Sequence, residues 1–363
     1  MAFSLRHFLG DNPDISARIR AIQEISGRVR TSQYFLTRAC NIRCKGCWFF
    51  GYGLDKAGED QRDLAEVDRF LAAETARGVT AALLVGGEPT LVPKKVERFV
   101  NALPYVTVVT NGWRPLPVQG FENVAVAVSV FAGLKSDDAF RAIRPDGQAF
   151  SGLFDAALNN YRNDPRVGFI YAITEQAVDE VVPTIRRIQD NGNQVVLSYY
   201  RFYKSVNAHE NEASTRRLLE QALLAKQLMP ETITSTPYLI ETLISGKTEF
   251  GTFGAETCPS VSFDHPSQQE RVKNGHPTLP GFRAYAQDLK TVNSCCTSGD
   301  CGSCRDSQAV TSWLMVSARK FFTSETGIRN WLELCEGYWS AFIWSPFHAT
   351  RRDHAHHENL ATA

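Results

Sequence analysis

Short apolar runs alternate with helix-length segments through the first 205 residues, and this alternation constrains the fold more than any other feature of the chain. The runs that predict strands lie at residues 34–37, 81–85, 106–109, 124–130, 167–171 and 195–199. Helices are predicted near residues 14–30, 60–77, 92–103, 151–162 and 178–190. The run at 124–130 is apolar on both faces, which is typical of a parallel strand covered by helices. The pattern therefore predicts an α/β protein built from βαβ units, as either an open doubly wound sheet or a barrel.

The alternation fades after residue 205, and the chain divides into regions of different character. These regions are the sheet at 1–205, a helical and cysteine-rich extension at 206–310, aromatic-rich helices at 311–350, and a fraying tail at 351–363. Within the extension, helices are predicted near 211–228 and 236–245, whereas 250–310 is rich in Gly, Pro, Ser and Cys. We expect something other than a sheet to organise that last stretch.

Composition excludes several classes of protein. The 39 Lys and Arg residues balance 39 Asp and Glu residues, so no net charge is available to hold a polyanion, and nucleic-acid binding through a basic surface is disfavoured. The chain has no run of 18 uncharged apolar residues and no secretory signal at its start. We therefore expect a cytoplasmic protein without a membrane segment.

Nine cysteines in a cytoplasmic chain are more typical of metal binding than of disulfides, because the cytosol keeps thiols reduced. Cys40, Cys44 and Cys47 lie together on the predicted loop after the first strand. Thiolates are the usual ligands of iron–sulfur clusters, and a four-iron cube held by three of them keeps one iron open for another ligand. Two alternatives stay open, namely a zinc site completed by a distant residue and three thiols that lie close by chance.

Other polar or glycine-rich turns follow the next two strands. Gly86-Gly87-Glu88-Pro89 follows the second strand, and Thr110-Asn111-Gly112 follows the third. Because ligands gather at the carboxyl ends of parallel strands, both turns are expected beside the cysteine loop.

The cysteine spacing resembles the CxxxCxxC signature of the radical SAM enzymes, which lies on the loop after the first strand of a partial (β/α)6 barrel. The resemblance implies a [4Fe–4S] cluster held by Cys40, Cys44 and Cys47, with S-adenosylmethionine on the fourth iron. It also implies that one electron splits the sulfonium to give a 5'-deoxyadenosyl radical, which then attacks the substrate.

Further positions resemble motifs of the same family along residues 1–205. Gly86, Gly87, Glu88 and Pro89 resemble the GGEP motif, whose backbone and glutamate are implied to bind the methionine ammonium. The segment 168–175 is similar to the GxIxGxxE adenine motif around Ile170, with Ala172 where glycine is usual. The remaining residues that the resemblance and position imply as cofactor contacts are Asn111, Ser129, Arg141, Arg144 and Tyr199. In one departure, Gly46 precedes the third cysteine, where many members have an aromatic residue.

A second cysteine group lies in the irregular stretch. Its members are Cys258, Cys295, Cys296, Cys301 and Cys304, of which Cys258, Cys296, Cys301 and Cys304 are the expected metal ligands. The arrangement is similar to the twitch and SPASM extensions of radical SAM enzymes, which implies a second [4Fe–4S] cluster. A structural zinc ion and reduced packing cysteines are the alternatives. The order of features, with Pro237-Tyr238-Leu239 before the late cysteines, is also loosely similar to adenosylhopene-forming enzymes, without carrying their substrate over.

The sequence thus predicts a radical SAM enzyme that acts on a small molecule or a peptide and is reduced by a partner such as flavodoxin or ferredoxin. One alternative is a non-catalytic iron–sulfur or zinc protein. Another is a radical SAM enzyme that modifies RNA, against which the charge balance argues. Cys296 and Cys335 are candidate hydrogen donors to a radical, and the aromatic residues of 331–347 are expected to pack between helices rather than to line a pocket.

Overall fold

The computed structural model describes residues 3–199, 212–246, 282–293 and 305–350. Its centre is one open sheet with the strand order β6-β5-β4-β3-β2-β1-β7-β8. The strands are β1 Thr31–Phe35, β2 Ala81–Val85, β3 Tyr105–Thr110, β4 Val124–Phe131, β5 Val167–Ile173, β6 Gln194–Tyr199, β7 Ala284–Tyr285 and β8 Val292–Asn293. Strands β1 to β7 run parallel, and β8 pairs antiparallel with β7. The predicted α/β class is confirmed, and the mostly parallel sheet, which does not close, is consistent with a partial barrel.

Helices connect the strands and cover one face of the sheet. The α-helices in the described residues are α1 Leu5–Asp11, α2 Pro13–Arg28, α3 Trp48–Gly51, α4 Leu64–Ala76, α5 Pro93–Ala102, α6 Leu134–Arg141, α7 Leu153–Asn160, α8 Val181–Asp190, α9 Glu212–Leu228, α10 Pro237–Ser245, α11 Ser307–Val316, α12 Ala318–Phe321 and α13 Glu325–Ser340. Several helices are capped at their start by a side chain that accepts a hydrogen bond from a backbone N–H of the first turn, as Asp63 does for α4 and Asp306 does for α11. Helix α6 is not among the helices predicted from the sequence.

The two faces of the sheet carry different side chains. Alternate residues such as Tyr34, Leu84 and Val108 are fully buried against the helices and join the main core. The residues between them, such as Phe35 and Val85, form a separate apolar cluster with Phe49 on the opposite, inner face. Strand alternation therefore decides which side chains reach the inside of the partial barrel.

The expectation that something other than a sheet organises residues 250–310 is wrong for residues 282–293, where β7 and β8 extend the sheet beside β1. Two-residue strands are too short to show a period-2 pattern in the sequence. Side chains add to the backbone pairing that attaches β7 to β1. Tyr285 stacks on Tyr34 with ring centroids 5.7 Å apart, and its hydroxyl donates to the buried Glu74 at 3.2 Å.

The C-terminal helices pack onto the start of the chain. Arg18 of α2 forms a two-pronged ion pair with Glu336 of α13, at 2.7 and 2.9 Å. Trp331 and Trp339 are buried between helices, and the indole of Trp331 donates to the carbonyl of Met315 at 2.8 Å. The expected helix packing of these tryptophans is confirmed. No helix among the described residues combines the length and the apolar character needed to cross a bilayer.

Candidate functional site

The cysteine loop follows β1 and is held in place by the end of α6 and the residues just after it. The backbone N–H of Arg43 donates to the carbonyl of Ile143 at 2.7 Å, and that of Lys45 donates to Phe140 at 2.8 Å. The Arg43 side chain turns back on the loop and donates to the carbonyls of Cys40 and Ile42 at 3.1 and 3.0 Å. These bonds fix the loop on both sides of Cys44.

The turn into the third cysteine explains the missing aromatic residue. Gly46 has a φ of +66°, and the N–H of Cys47 donates to the carbonyl of Cys44 at 3.2 Å. A residue with a side chain is strained in this left-handed region, whereas glycine is not. Glycine at position 46 therefore suits this turn, where an aromatic residue would be strained.

Cys40, Cys44 and Cys47 are free and half-buried. Burial raises the pKa of all three thiols, to about 11 for Cys40 and to about 12 for Cys44. The charge of Arg141 opposes the rise at Cys44. A charge on Cys47 or Cys40 raises the pKa of Cys44 further, because the thiols lie near one another. A metal that binds here must displace the thiol protons.

This donor set fits an iron–sulfur cube. The loop provides three thiols without disulfides on one bend, and each thiolate of a cube binds a different iron. Searched over the described residues alone, the structure has no group of three or more His, Cys, Asp or Glu side chains placed for a single metal ion. Cys258, Cys295, Cys296, Cys301 and Cys304 lie outside the described residues, and their predicted roles stay predictions.

The two glycines after β2 bring that strand's turn against the cysteine loop. The N–H of Gly87 donates to the carbonyl of Thr37 at 2.8 Å, and that of Glu88 donates to Ala39 at 2.9 Å. A Cβ atom on Gly87 would lie 2.0 Å from the Ala39 carbonyl oxygen, so only glycine fits there. Gly86 adds a φ of +128°. The predicted neighbourhood of the Gly86–Pro89 turn and the cysteine loop is thus present.

The carboxylate of Glu88 is buried and accepts hydrogen bonds from other groups of the protein. It is 1% exposed and accepts bonds from the N–H and hydroxyl of Thr90, from the hydroxyl of Thr110 and from the N–H of Asn111, at 2.7 to 3.0 Å. Burial raises its pKa, although these bonds lower it. Glu88 therefore links the turn after β2 to the turn after β3. Because its carboxylate already accepts these bonds, the backbone of the Gly86–Pro89 turn is better placed to bind an ammonium group.

Asn111 links that turn to the first cysteine. Its side-chain amide donates to Asn41 at 2.7 Å and lies 3.9 Å from the Cys40 sulfur. The backbone N–H of Asn111 donates to the Glu88 carboxylate, and its carbonyl accepts from the Arg141 guanidinium at 2.9 Å. Asn111 thus lies at the site as predicted, in contact with the cysteine loop.

Arg141 is buried beside the cysteine loop. It is 1% exposed and forms an ion pair at 2.9 Å with Asp137, which is 0% exposed. Burial raises the pKa of Asp137, and the Arg141 charge opposes that rise. Sequence reasoning missed Asp137, because opposite charges four residues apart usually indicate a solvent-facing helix.

Ser129 and Ile170 lie side by side, as register partners on β4 and β5. Both are half-buried on the inner face, where the predicted nucleoside contacts belong. Arg144 is exposed and lies over the rings of Trp113 and Phe150, at 5.8 and 5.5 Å. These positions leave Ser129 and Ile170 as the better placed candidates for a bound nucleoside.

Tyr199 requires a correction. It joins the core between sheet and helices, on the face opposite Ser129 and Ile170, because it pairs in register with Ile173. Its hydroxyl donates to Glu175 at 2.6 Å and accepts from Arg305 at 2.9 Å. Its place is structural, and the prediction that it contacts the cofactor is wrong. Cys335 is likewise sealed in the core, which removes it as a hydrogen donor at the site.

Comparisons with known proteins agree with this geometry. No family model matches the chain. Pre-heme d1 synthase of Dinoroseobacter shibae (strain DSM 16493 / NCIMB 14021 / DFL 12) is 26% identical over 217 residues, which cover 53% of this chain and only 50% of that protein. The structure of hexahistidine-tagged anSMEcpe with bound AdoMet superposes with a TM-score of 0.50 at 13% identity, covering 88% of this chain and 93% of the other. Native anSMEcpe with bound AdoMet gives a TM-score of 0.46 at 15% identity, covering 60% and 68%. At these identities the chain shares its fold with the tagged, AdoMet-bound anSMEcpe structure, and it spans half the length of pre-heme d1 synthase.

Proposed function

We propose that the protein is a radical SAM enzyme whose [4Fe–4S] cluster is held by Cys40, Cys44 and Cys47. The observation that carries the proposal is the placement of three free thiols on one bend, against the Gly86–Pro89 turn and Asn111, at the carboxyl edge of a parallel sheet. This is the edge at which α/β sheets bind their ligands.

When bound, the cluster would supply the electron that splits S-adenosylmethionine into methionine and a 5'-deoxyadenosyl radical. The protein's own residues hold and orient the parts. The Gly86–Pro89 turn offers backbone groups to the methionine ammonium, and Ser129 and Ile170 offer an inner-face surface to the nucleoside. Glu88 keeps two loops together through its four bonds, so the turn retains its shape whether or not a ligand is present.

The wider assignments belong to the same proposal. The substrate is a small molecule or a peptide, the reductant is a partner such as flavodoxin or ferredoxin, and the protein works in the cytoplasm. Cys258, Cys296, Cys301 and Cys304 would hold a second [4Fe–4S] cluster. The net charge of zero supports a substrate other than nucleic acid.

The proposal is tested by anaerobic reconstitution followed by iron and sulfide analysis and electron spin resonance. We expect about four irons for each cube, and a reduced-state spectrum that changes when S-adenosylmethionine is added, because the open iron accepts it. Cys44→Ala should lose this signal, whereas Cys335→Ala, which removes a buried thiol outside the loop, should keep it. A reduced cluster whose spin-resonance spectrum does not change when S-adenosylmethionine is added would contradict the proposal.

Cys301→Ala tests the second cluster separately. We expect it to lose about four irons while the spectral response to S-adenosylmethionine remains. An unchanged iron content would remove the second cluster and leave the first in place.

A further inference from the structure

Arg141 lies where it can act on the cluster itself. The carbonyls of Phe140 and Ile143 accept backbone bonds from Lys45 and Arg43, so the residues around Arg141 run alongside the residues around Cys44. This pairing places Arg141 beside the segment that carries Cys44, and the Arg141 charge lowers the pKa of the Cys44 thiol. This placement follows from backbone bonds at both ends and not from a flexible side chain alone.

The guanidinium is fixed at two further points. One nitrogen donates to the Asp137 carboxylate at 2.9 Å, and another donates to the carbonyl of Asn111 at 2.9 Å. Asn111 in turn contacts the Cys40 sulfur and the side chain of Asn41. One buried cation thereby lies beside the segment that carries Cys44 and reaches Cys40 through a single residue, Asn111.

We propose that Arg141 is a positioning residue of the iron–sulfur site, whose buried charge stabilises the reduced cluster and whose hydrogen bond holds Asn111 against the cysteine loop. The inference rests on the proposed function, since it assigns this residue a task toward the cluster. It differs from the contact to the S-adenosylmethionine carboxylate that the sequence resemblance implies. Two of the five N–H donors of Arg141 are already bonded within the protein, to the Asp137 carboxylate and the Asn111 carbonyl.

The electrostatic consequence has a definite sign. Reduction adds one negative charge to the cluster, and a nearby positive charge in a poorly hydrated site favours that state. Loss of the charge therefore makes reduction harder and lowers the midpoint potential. Hydrogen bonds and charges next to the ligands are known means of tuning such centres.

The test compares Arg141→Gln and Arg141→Lys with the wild type after anaerobic reconstitution. The readouts are iron content, the midpoint potential from a reductive titration followed by spin resonance, and S-adenosylmethionine affinity by equilibrium dialysis. We expect Arg141→Gln to have a lower midpoint with affinity changed by no more than about twofold, and Arg141→Lys to restore the midpoint because it keeps the charge. Arg187→Gln is the matched control, since it removes the same charge from an exposed ion pair on α8.

Arg141→Gln leaves Asp137 buried without its cation, which endangers folding. The double variant Asp137→Asn with Arg141→Gln removes both charges; because the Asp137 charge opposes that of Arg141 at Cys44, we expect a midpoint below that of the wild type but lowered less than in Arg141→Gln. An unchanged midpoint in both variants, or a tenfold loss of S-adenosylmethionine affinity at an unchanged midpoint, would overturn the inference. Failure of the wild type itself to assemble a cluster would overturn the proposed function as well, so the two failures are distinguishable.

Discussion

Single residues set the shape of the site through close approach and burial. Gly87 lets two turns touch, Gly46 allows the bend before Cys47, and Glu88 joins the turns after β2 and β3. Each performs a task that a change of one side chain would abolish. The site is therefore most sensitive at positions that bear no chemistry of their own.

Gly87→Ala should prevent the turn after β2 from meeting the cysteine loop. The added Cβ would lie 2.0 Å from a backbone oxygen, and backbone cannot move aside as a side chain can. We expect a loss of about 2 kcal/mol or more in the free energy of unfolding, and poor uptake of iron. Gly27→Ala, in an uncrowded part of α2, is the control and should stabilise by about 0.5–1 kcal/mol. Equal stability of the two variants in thermal unfolding would contradict this reading.

Lys95 gives the protein a predictable response to pH. Its ammonium is buried and donates to the carbonyl of Leu36 at 2.6 Å; burial lowers its pKa to about 8, while Asp60 opposes the shift. Lys95 therefore binds its proton more tightly in the unfolded chain than in the folded protein. Its contribution to stability is unfavourable below about pH 8 and improves as the pH rises toward 10.5, the ordinary pKa of a lysine.

Denaturant unfolding of the wild type and Lys95→Met measures this contribution. Between about pH 7 and 10.5, the stability of the wild type should rise relative to the variant by about 2–3 kcal/mol. Parallel pH profiles for the two proteins would show that Lys95 titrates normally.

Elements are joined to the sheet by polar networks as well as by apolar packing. Strand β7 is only two residues long, yet Tyr285 stacks on Tyr34 and shares the buried Glu74 with Tyr34 and Arg77. The network attaches the segment 282–293 to β1, from whose end the cysteine loop departs. The attachment of β7 therefore supports the element that carries the site.

Tyr285→Phe should separate the two contributions. The ring stack remains, while the bonds of the hydroxyl with Glu74 and Arg283 are lost. We expect a loss of about 1 kcal/mol in the free energy of unfolding, together with faster amide exchange in β1 and β7. Unchanged exchange in β1 would show that β7 does not brace it.

At the scale of the whole molecule, one core unites regions that the sequence separates. Buried residues of the sheet, of α9 and α10, and of the C-terminal helices belong to the same apolar cluster. The Arg18–Glu336 ion pair joins the second helix to the last of the described helices. We infer that the C-terminal helices are part of the barrel unit and do not fold alone.

We therefore expect a single cooperative unfolding transition. Tryptophan fluorescence, dominated by residues of the C-terminal helices such as Trp331 and Trp339, should change at the same denaturant concentration as far-ultraviolet circular dichroism. Two separated midpoints would instead support an independent unit at 311–350.

Much of the fold was predictable because buried parallel strands carry continuous apolar runs, as 124–130 does. The cysteine spacing was visible because the three thiols lie close together in the sequence, from Cys40 to Cys47. The burial of the Asp137–Arg141 pair could not be predicted, because opposite charges four residues apart usually lie on an exposed helix face. Strand β7 could not be predicted either, because two residues are too few to show the alternation of a strand. The face on which Tyr199 lies depends on its register with Ile173, which the strand's own sequence does not contain.

The most direct measurement of the central claim is the amount of 5'-deoxyadenosine formed when the reconstituted protein is incubated with S-adenosylmethionine and dithionite without oxygen. We expect the nucleoside together with methionine from the wild type, and none from Cys44→Ala. A wild-type protein with a complete cluster that leaves S-adenosylmethionine intact would contradict the assignment.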